Sequence, residues 1–343
     1  MKNIKIGAHW IGNNYPVFVI AEVGINHNGS FKLAKKMIEE AKNAGADCIK
    51  FQTHIAEKEM INTKLKPGNL SKKSLWEIIK SCELTEREEK EISNFCKKKK
   101  ILFMSTPFSM EAVDRLEKIK VKGYKIGSGE LTNLPLLYHI AKTNKPIILS
   151  TGMSTMNEIS KAVKIFKKNK NPLALLQTSS TYPSKYNEIK LGLIEKFQKK
   201  FLVPIGISDH SIGIYTALGA VAKGASIVEK HFTLDKKMPG PDQNFSLNPN
   251  ELSEIIRGCK AIKSALGDVK TILPNEKQII KFAHASVVSI KAMQKNEKFT
   301  IENISTKRPN TGSISATQFY KILGRKAKKP IKINYQLKWS DMI

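Results

Sequence analysis

Residues 101–150, ILFMSTPFSMEAVDRLEKIKVKGYKIGSGELTNLPLLYHIAKTNKPIILS, carry the pattern that decides the fold. Three short apolar runs stand in this segment, at 101–105, 123–126 and 147–150. Between them lie two stretches, 109–119 and 134–143, in which apolar residues recur at spacings of three and four. Short apolar runs are typical of parallel strands covered on both faces, and the wider spacing predicts amphipathic helices. The segment is therefore predicted to fold as strand, helix, strand, helix, strand.

The same alternation extends outward in both directions and gives eight predicted strands in all. They are 17–23, 48–52, 101–105, 123–126, 147–150, 173–178, 205–208 and 226–232. No GxGxxG follows the first of them, which argues against a dinucleotide-binding sheet. Eight strand–helix alternations in one chain predict an α/β fold of the (β/α)8 TIM-barrel type.

The regular alternation of strands and helices stops after the last predicted barrel helix. We expect a barrel domain at 1–270, a linker at 271–282 and a small second domain at 283–343. The second domain has short strand-like runs at 286–290 and 331–333, a KRPNTG turn at 307–312, and a short helix at 316–323 before Gly324.

The net charge of +28 is the unusual feature of the composition. A strongly basic chain suggests nucleic acid as a partner, but only five of the 58 basic residues are arginine, the residue preferred for phosphate and base-edge contacts. We therefore interpret the excess as lysine on solvated helix faces and expect no nucleic-acid partner. A basic barrel that binds polyanions without catalysis remains the alternative from a different functional class.

The compartment is indicated by the cysteines and by two absent sequence patterns. Four cysteines are scattered without a CxxC pair, at Cys48, Cys82, Cys96 and Cys259. This spacing favours reduced thiols over disulfides or structural zinc. The N-terminus lacks a signal-peptide layout, and no apolar stretch reaches the roughly 18 residues of a membrane span. We expect a cytoplasmic protein with no membrane association.

The barrel prediction requires functional residues at the carboxyl ends of the strands, and polar residues stand at all eight ends. His210 and His231 end neighbouring strands and suit a divalent metal such as Mn²⁺, Zn²⁺ or Fe²⁺. Glu229 shares a strand face with His231 and is a candidate metal ligand, or a partner that holds a ligating histidine in place. The alternative is that the histidines are hydrogen-bonding pocket residues without a metal.

Two lysines in apolar strands, Lys50 and Lys125, indicate an anion site, because a buried charge is costly unless it is paired. Ser128, Ser150 and Ser208 are available as neutral donors to phosphate oxygens. The alternatives are lysines that point outward, or a salt bridge to Glu130. Glu22, on the first strand, is either a general base or a partner of one of these lysines. These residues predict a barrel enzyme for a small phosphorylated or carboxylated substrate.

Nine motifs in order along the chain resemble the sialic acid synthase family, which includes N-acetylneuraminate synthase and its legionaminic and pseudaminic acid relatives. They are AEVGINHNGS (21–30), IKFQTH (49–54), STPFS (105–109), YKIGSGE (124–130), LSTGM (149–153), TYP (181–183), GISDHS (206–211), EKHF (229–232) and GPD (240–242). The tail, with KRPNTG at 307–312 and the following ILGRKA, resembles the family's C-terminal antifreeze-like (SAF, β-clip-like) domain.

The resemblance implies condensation of phosphoenolpyruvate (PEP) with an open-chain N-acyl hexosamine and water, giving a sialic acid and phosphate with cleavage of the C–O bond of PEP. His210 and His231 would hold the metal, most often Mn²⁺, with Mg²⁺ or Co²⁺ as alternatives, and Glu22 would steer the water. The implied PEP contacts are Lys50, Lys125, Ser128, Ser150, Ser180, Tyr182 and Ser208. The implied sugar contacts are Gln52, Asn69, Glu130, Asp242 and Arg308, the last reaching the partner's barrel in a domain-swapped homodimer.

One departure from the family pattern concerns the choice of sugar. Ser179-Ser180 stands before TYP, where sialic acid synthases often place an asparagine and relatives that make other nonulosonic acids have a serine. Some of the other motifs resemble sialic acid synthases, and others resemble the relatives that make legionaminic acid. N-acetylmannosamine is the expected sugar, with its 6-phosphate or a diacetamido-trideoxy hexose as alternatives. Another PEP-condensing aldolase, acting on a simple sugar phosphate, is a further alternative.

Overall fold

A computed structural model describes residues 2–67 and 71–343 and divides the chain into two compact units, Met1–Gly267 and Asp268–Ile343. The first unit opens with a short antiparallel hairpin of β1 (Ile4–Ile6) and β2 (His9–Ile11). Ile4, Ile6 and Ile11 pack in one cluster with residues of the barrel strands. The hairpin was not predicted, because two strands of three residues are too short to show a period.

The eight predicted strands are all confirmed, with ends that differ by at most two residues from the prediction. They are β3 (Phe18–Gly24), β4 (Cys48–Thr53), β5 (Leu102–Pro107), β6 (Tyr124–Ile126), β7 (Ile147–Ser150), β8 (Leu173–Thr178), β9 (Ile205–Asp209) and β10 (Ile227–His231). All recorded ladders between them are parallel, in the order β5-β4-β3-β10-β9-β8-β7-β6. Because β5 and β6, at the two ends of this order, lie next to each other, the barrel is nearly closed.

Amphipathic helices cover the outside of the barrel. They are α1 (Phe31–Asn43), α2 (Ala56–Glu59), α3 (Leu75–Cys82), α4 (Glu86–Lys99), α5 (Met110–Ile119), α6 (Leu134–Ala141), α7 (Met156–Lys168), α8 (Gly192–Phe201), α9 (Tyr215–Ala222) and α10 (Pro249–Ala265). Several begin at a side chain that accepts a hydrogen bond from the first turn, as Ser30 does for α1 and Thr155 for α7. The same rule explains the start of α10 at Asn248, which forms a capping box with Glu251.

The inner face of the barrel changes from apolar to polar along the strands, and this change positions the site. Alternate residues of a strand face the same side. Inner residues near the strand beginnings form one apolar cluster that includes Phe18, Ile20, Cys48, Ile148 and Ile227. Two residues further along the same strands stand Glu22, Lys50, Ser150 and Glu229, all buried. The period of two therefore carries these polar side chains into the barrel mouth above an apolar floor.

The second unit begins with α11 (Glu276–Ala283), so the segment predicted as a linker, 271–282, is helical in part. Ile279 and Phe282, three residues apart, lie on one face of this helix, and both side chains are exposed. β11 (Ser286–Ser289) and β12 (Ile304–Lys307) form an antiparallel pair, and β12 was not predicted.

Two further predictions for this unit have different outcomes. The predicted strand at 331–333 is wrong, since Ile331 makes only an isolated bridge to Met293. The predicted helix at 316–323 is a 3-10 helix, Ala316–Lys321, and Gly324 follows with a left-handed φ of +83°. The unit has a small core of its own, in which Val287, Phe299 and Leu337 take part.

All four cysteines are buried and free. Among the described helices none is long and apolar enough to cross a membrane.

Candidate active site

The polar side chains predicted at the strand ends meet in a narrow cavity of about 70 Å³ at the carboxyl-terminal mouth of the barrel. It is lined by Glu22, Lys50, Gln52, Thr106, Phe108, Lys125, Gly127, Ser128, Ser150, Thr178, Tyr182, Ser208, His210, Glu229 and His231. Most of these were predicted site residues. The other four, Thr106, Phe108, Gly127 and Thr178, were not, because a threonine, a glycine or an aromatic ring at a strand end carries no chemical signature of its own.

Four charged side chains form an alternating cluster inside this cavity. The Lys50 ammonium lies 2.7 Å from Oε2 of Glu22 and 3.9 Å from Oε2 of Glu229. The Lys125 ammonium lies 3.3 Å from Oε1 of Glu229, which also accepts a hydrogen bond of 2.9 Å from Ser208. All four charged side chains are at most 5% exposed. Glu229 thus joins the two lysines, and two cations balance two carboxylates.

This arrangement decides between the alternatives for the two lysines. Neither points outward, and neither pairs with Glu130, because both are buried against Glu22 or Glu229. Their remaining contacts are neutral: Lys125 donates 2.7 Å to Oγ of Ser150, and Lys50 donates 3.2 Å to Oγ1 of Thr106. Two ammonium groups with hydroxyl neighbours at the bottom of a cavity form a site that can take an anion.

Burial shifts the protonation of this cluster towards neutrality at two positions. It raises the pKa of Glu22 to about 7, against the opposing effect of Lys50, and it lowers the pKa of Lys125 to about 8. Burial also acts to lower the pKa of Lys50, but the charges of Glu22 and Glu229 outweigh this effect and raise the pKa of Lys50. Burial is likewise outweighed at Glu229, whose pKa is lowered by Lys125 and Lys50. Glu22 is therefore the carboxylate that can exchange a proton near neutral pH.

The two predicted metal histidines stand together at the same mouth. The ring centroids of His210 and His231 are 5.4 Å apart. Nδ1 of His210 lies 2.7 Å from the carbonyl oxygen of Ser179, so it donates and leaves Nε2 as the free acceptor. Burial lowers the pKa of His210 to about 4 and that of His231 well below its usual range, so both rings are neutral.

His231 has one notable neighbour. Its Nδ1 makes no hydrogen bond among the described residues and lies 3.6 Å from Oδ2 of Asp242. Within the described part of the chain, no group of three or more histidine, cysteine or acidic side chains is arranged to hold a metal. The protein thus offers two neutral imidazoles, and water or substrate oxygens would complete a coordination sphere.

The loop after β7 contacts two of the predicted PEP residues. The backbone N–H of Gly152 donates 3.0 Å to Oγ of Ser128. A Cβ at position 152 would lie 2.2 Å from Oγ of Ser180 and 2.8 Å from Oγ of Ser128, so a side chain there would displace both hydroxyl groups. The Tyr182 ring packs against His210, with ring centroids 4.2 Å apart and planes inclined by 37°. The structure therefore places these predicted residues around one corner of the site.

Of the predicted sugar contacts in the first unit, Gln52 lines the cavity, whereas Glu130 and Asp242 are not among the lining residues. Glu130 is half-buried and accepts a hydrogen bond from Asn133. Asp242 stands beside His231, and Gln52 donates 3.1 Å to Oε1 of Glu22. Arg308 is exposed and belongs to the second unit, and Asn69 lies outside the described residues.

Comparison with known proteins gives a consistent picture. The model described as the NeuB family matches residues 37–271, and that of the SAF domain matches residues 284–342. The N,N'-diacetyllegionaminic acid synthase of Campylobacter jejuni is 42% identical, with 92% of this chain and 96% of that protein covered. The N-acetylneuraminate-9-phosphate synthase of Homo sapiens is 32% identical, with 92% and 90% covered. Among solved structures, an N-acetylneuraminic acid (sialic acid) synthetase from Leptospira borgpetersenii has a TM-score of 0.73 and 37% identity, with 81% and 95% covered.

Proposed function

This chain belongs to the NeuB family, and from that premise we propose that it is a nonulosonic acid synthase. It is a PEP-dependent transferase that forms a carbon–carbon bond between PEP and an N-acyl hexosamine. The observation that carries the proposal is the juxtaposition of two buried lysines with two neutral histidines in one cavity. An anion and an aldehyde oxygen can be held side by side there.

PEP is held by the cationic part of the cavity. In the free protein Lys50 and Lys125 are already paired with Glu22 and Glu229, so a bound anion competes with these carboxylates for the same ammonium groups. An anion that takes over Lys50 leaves the Glu22 carboxylate without its ammonium partner, and a pKa of about 7 suits this carboxylate to accept a proton near neutral pH. Ser150, whose Oγ accepts from Lys125, keeps its own hydroxyl proton and can donate it to the anion, whereas Ser208 donates to Glu229.

Carbon–carbon bond formation leaves a cationic C2 that must be trapped by water. Carbon 3 of PEP attacks the sugar aldehyde, so C2 gains cationic character and the aldehyde oxygen becomes an alkoxide. Glu22 accepts one proton of the water that adds to C2, and the alkoxide takes up a proton to become a hydroxyl. The tetrahedral intermediate then loses the proton of its new hydroxyl group and expels phosphate with the original bridging oxygen, which leaves the 2-keto group. Gln52 donates to Oε1 of Glu22 and so fixes the direction in which the carboxylate meets the water.

We propose that His210 and His231 hold a divalent metal, with Mn²⁺ as the first candidate. The fit rests on two neutral rings and on the free Nε2 that the hydrogen bond from His210 to Ser179 leaves. A bound metal would act as a Lewis acid on the aldehyde oxygen.

The comparisons support a proposal for which N-acyl hexosamine is the substrate. The greater identity to a legionaminic than to an N-acetylneuraminate-9-phosphate synthase, 42% against 32%, favours a diacetamido-trideoxy hexose. N-acetylmannosamine, the sugar expected from the sequence, is the second candidate. It is supported by the 37% identity to the sialic acid synthetase structure.

We further propose a homodimer in which Arg308 of one subunit binds the N-acyl group in the barrel of the other. The support is that Arg308 is exposed and forms no salt bridge within the described residues, so its charge is available to a ligand. We expect Arg308→Ala to raise the KM for the sugar while the KM for PEP stays unchanged. A KM for the sugar equal to that of the wild type would exclude this contact.

The decisive assay supplies PEP and Mn²⁺ with each candidate sugar and measures phosphate release and product mass. In water enriched in oxygen-18, the released phosphate should stay unlabelled, because the C–O bond of PEP breaks. Labelled phosphate would mean that water attacks phosphorus. Absence of turnover with every N-acyl hexosamine, together with salt-sensitive binding of polyanions, would favour a non-catalytic binding protein instead.

A further inference from the structure

A buried histidine outside the described catalytic set connects to Glu22 through one intervening side chain. His54 directly follows β4 and is only 4% exposed. Its Nε2 lies 3.0 Å from Oε1 of Gln52, and Nε2 of Gln52 lies 3.1 Å from Oε1 of Glu22. The other ring nitrogen, Nδ1, lies 2.9 Å and 3.0 Å from the two carboxylate oxygens of Glu59. The four side chains form one continuous chain of hydrogen bonds.

The direction of each bond in this chain follows from the chemistry of the groups. The Glu59 carboxylate only accepts, so Nδ1 of His54 carries a proton. The opposite orientation of the Gln52 amide would place its oxygen against the Glu22 carboxylate, which is repulsive while Glu22 is paired with Lys50. The amide oxygen of Gln52 therefore faces His54, and Nε2 of His54 must donate as well. His54 is accordingly an imidazolium.

The surroundings of His54 agree with a buried cation. The Phe108 ring stacks on it, with centroids 4.5 Å apart and planes inclined by 15°. Glu59 supplies the compensating charge, and its own carboxylate is 4% exposed and also accepts from the backbone N–H of Ile55. Burial, reinforced by the charge of His54, lowers the pKa of the neighbouring His27 to about 4.

We infer that His54, held by Glu59, is a positioning residue that acts through Gln52 to fix the orientation of the Glu22 carboxylate. An imidazolium bound to the amide oxygen polarises Gln52 and strengthens the hydrogen bond that its N–H donates to Glu22. His54 does not line the cavity, whereas Gln52 and Glu22 do. The inference rests on the proposed function, in which Glu22 directs water to C2 of PEP.

The kinetic test is a double-mutant cycle between positions 54 and 52. His54→Ala should lower kcat by about 10²-fold, as expected when a reacting group is misplaced, and leave the KM for PEP near the wild-type value. In the Gln52→Ala background the same substitution should have almost no further effect, because its only route to Glu22 is gone. The inference would be overturned if the fold-loss of kcat in the double variant equalled the product of the two single-variant losses. A wild-type kcat for His54→Ala would overturn it as well.

The matched control is His139→Ala. His139 also pairs with a carboxylate, 2.8 Å from Oδ1 of Asp114, but this pair is exposed and belongs to α6 and α5 on the barrel surface. Its removal should leave kcat unchanged. Thermal melting of both variants separates a loss of folded protein from a loss of turnover per folded molecule.

A spectroscopic test does not depend on turnover. In protein labelled with nitrogen-15 histidine, the His54 signals, assigned by their loss in His54→Asn, should show both ring nitrogens protonated at neutral pH. Glu59→Gln should remove that signature. A neutral His54 ring would overturn the inference even in an active enzyme. If the wild type turned over no N-acyl hexosamine, the proposed function would fail, and the nitrogen signals would still decide the order of the hydrogen bonds.

Discussion

Replacing Glu229 by glutamine tests the charge balance that the structure places at the centre of the cavity. The substitution keeps the volume of the side chain and an oxygen that Ser208 can donate to, so it removes little besides the charge. Lys50 keeps Glu22 at 2.7 Å. Lys125 keeps only neutral acceptors, Oγ of Ser150 at 2.7 Å and the carbonyl of Ile126 at 3.4 Å.

The expected cost follows from the burial of the group that remains. Breaking a buried ion pair by removing one partner costs about 3–5 kcal/mol, because the other charge is left uncompensated. We expect the lower end, about 3 kcal/mol, because Lys50 retains a carboxylate. The loss should be largest well below the folded-state pKa of Lys125, which burial lowers to about 8, and should shrink as the pH rises through that value, because Lys125 is then neutral in both folded proteins.

Urea unfolding at pH 7 measures this loss, with and without inorganic phosphate. For an m-value of about 3 kcal/mol/M, the midpoint of Glu229→Gln should fall by about 1 M. Phosphate at 100 times its dissociation constant restores about 2.7 kcal/mol in a one-site case. It should stabilise the variant more than the wild type, because the anion replaces the missing carboxylate.

Glu195→Gln is the matched control, since Glu195 pairs with Lys223 at 3.0 Å with both side chains about half exposed. Exposed pairs contribute about 0–1 kcal/mol, so its midpoint should hardly move. The reasoning is refuted if Glu229→Gln unfolds at the wild-type urea concentration. It is equally refuted if phosphate stabilises both proteins to the same extent.

Three further predictions concern pH, metal and backbone. The kcat/KM for PEP should rise as Glu22 deprotonates near pH 7 and fall above pH 8 as Lys125 loses its charge; a flat profile from pH 6 to 9 would contradict both assignments. His231→Ala and chelation should each abolish phosphate release, with Mn²⁺ restoring only the chelated wild type; full activity after chelation would remove the metal from the proposal. Gly152→Ala, whose Cβ would lie 2.2 Å from Oγ of Ser180, should lower kcat/KM for PEP by about 10²-fold. Gly129→Ala, with no heavy atom within 4 Å, should not, and equal kinetics would mean that the loop after β7 yields without cost.

The barrel could be predicted because its signal is repeated and local. Each strand is a short apolar run and each helix has a wider apolar spacing, so an error at one element does not change the count. The hairpin of β1 and β2 and the strand β12 lack that signal, since three or four residues show no period. The segment 331–333 has the apolar composition of a strand, but its backbone pairs elsewhere only at Ile331. Its conformation is decided by packing in a small unit.

The site residues could be located from the sequence, but their partners could not. Position at a strand end places Lys125 and Glu229 in the same mouth, yet the 3.3 Å contact between them depends on side-chain directions across several strands. The proximity of Asp242 to His231 depends on the long loop after β10. His54 belongs to the motif IKFQTH, but the sequence assigned it no role. No sequence pattern indicates that each of its ring nitrogens has a hydrogen-bond acceptor.

The charge of the whole chain and the charge of its cavity are separate quantities. The chain carries +28, yet the two lysines that line the cavity are matched by two glutamates. A cavity with no net charge does not attract a multiply charged anion by itself, so any long-range attraction comes from the surface lysines and weakens with salt. Affinity inside the cavity depends instead on how easily a carboxylate gives up its lysine. Glu22, which pairs with Lys50 alone, gives up its lysine more easily than Glu229, which two lysines and Ser208 hold in the charged form. The two carboxylates therefore have different roles: Glu229 holds the lysines in place, and Glu22 accepts the proton of the attacking water.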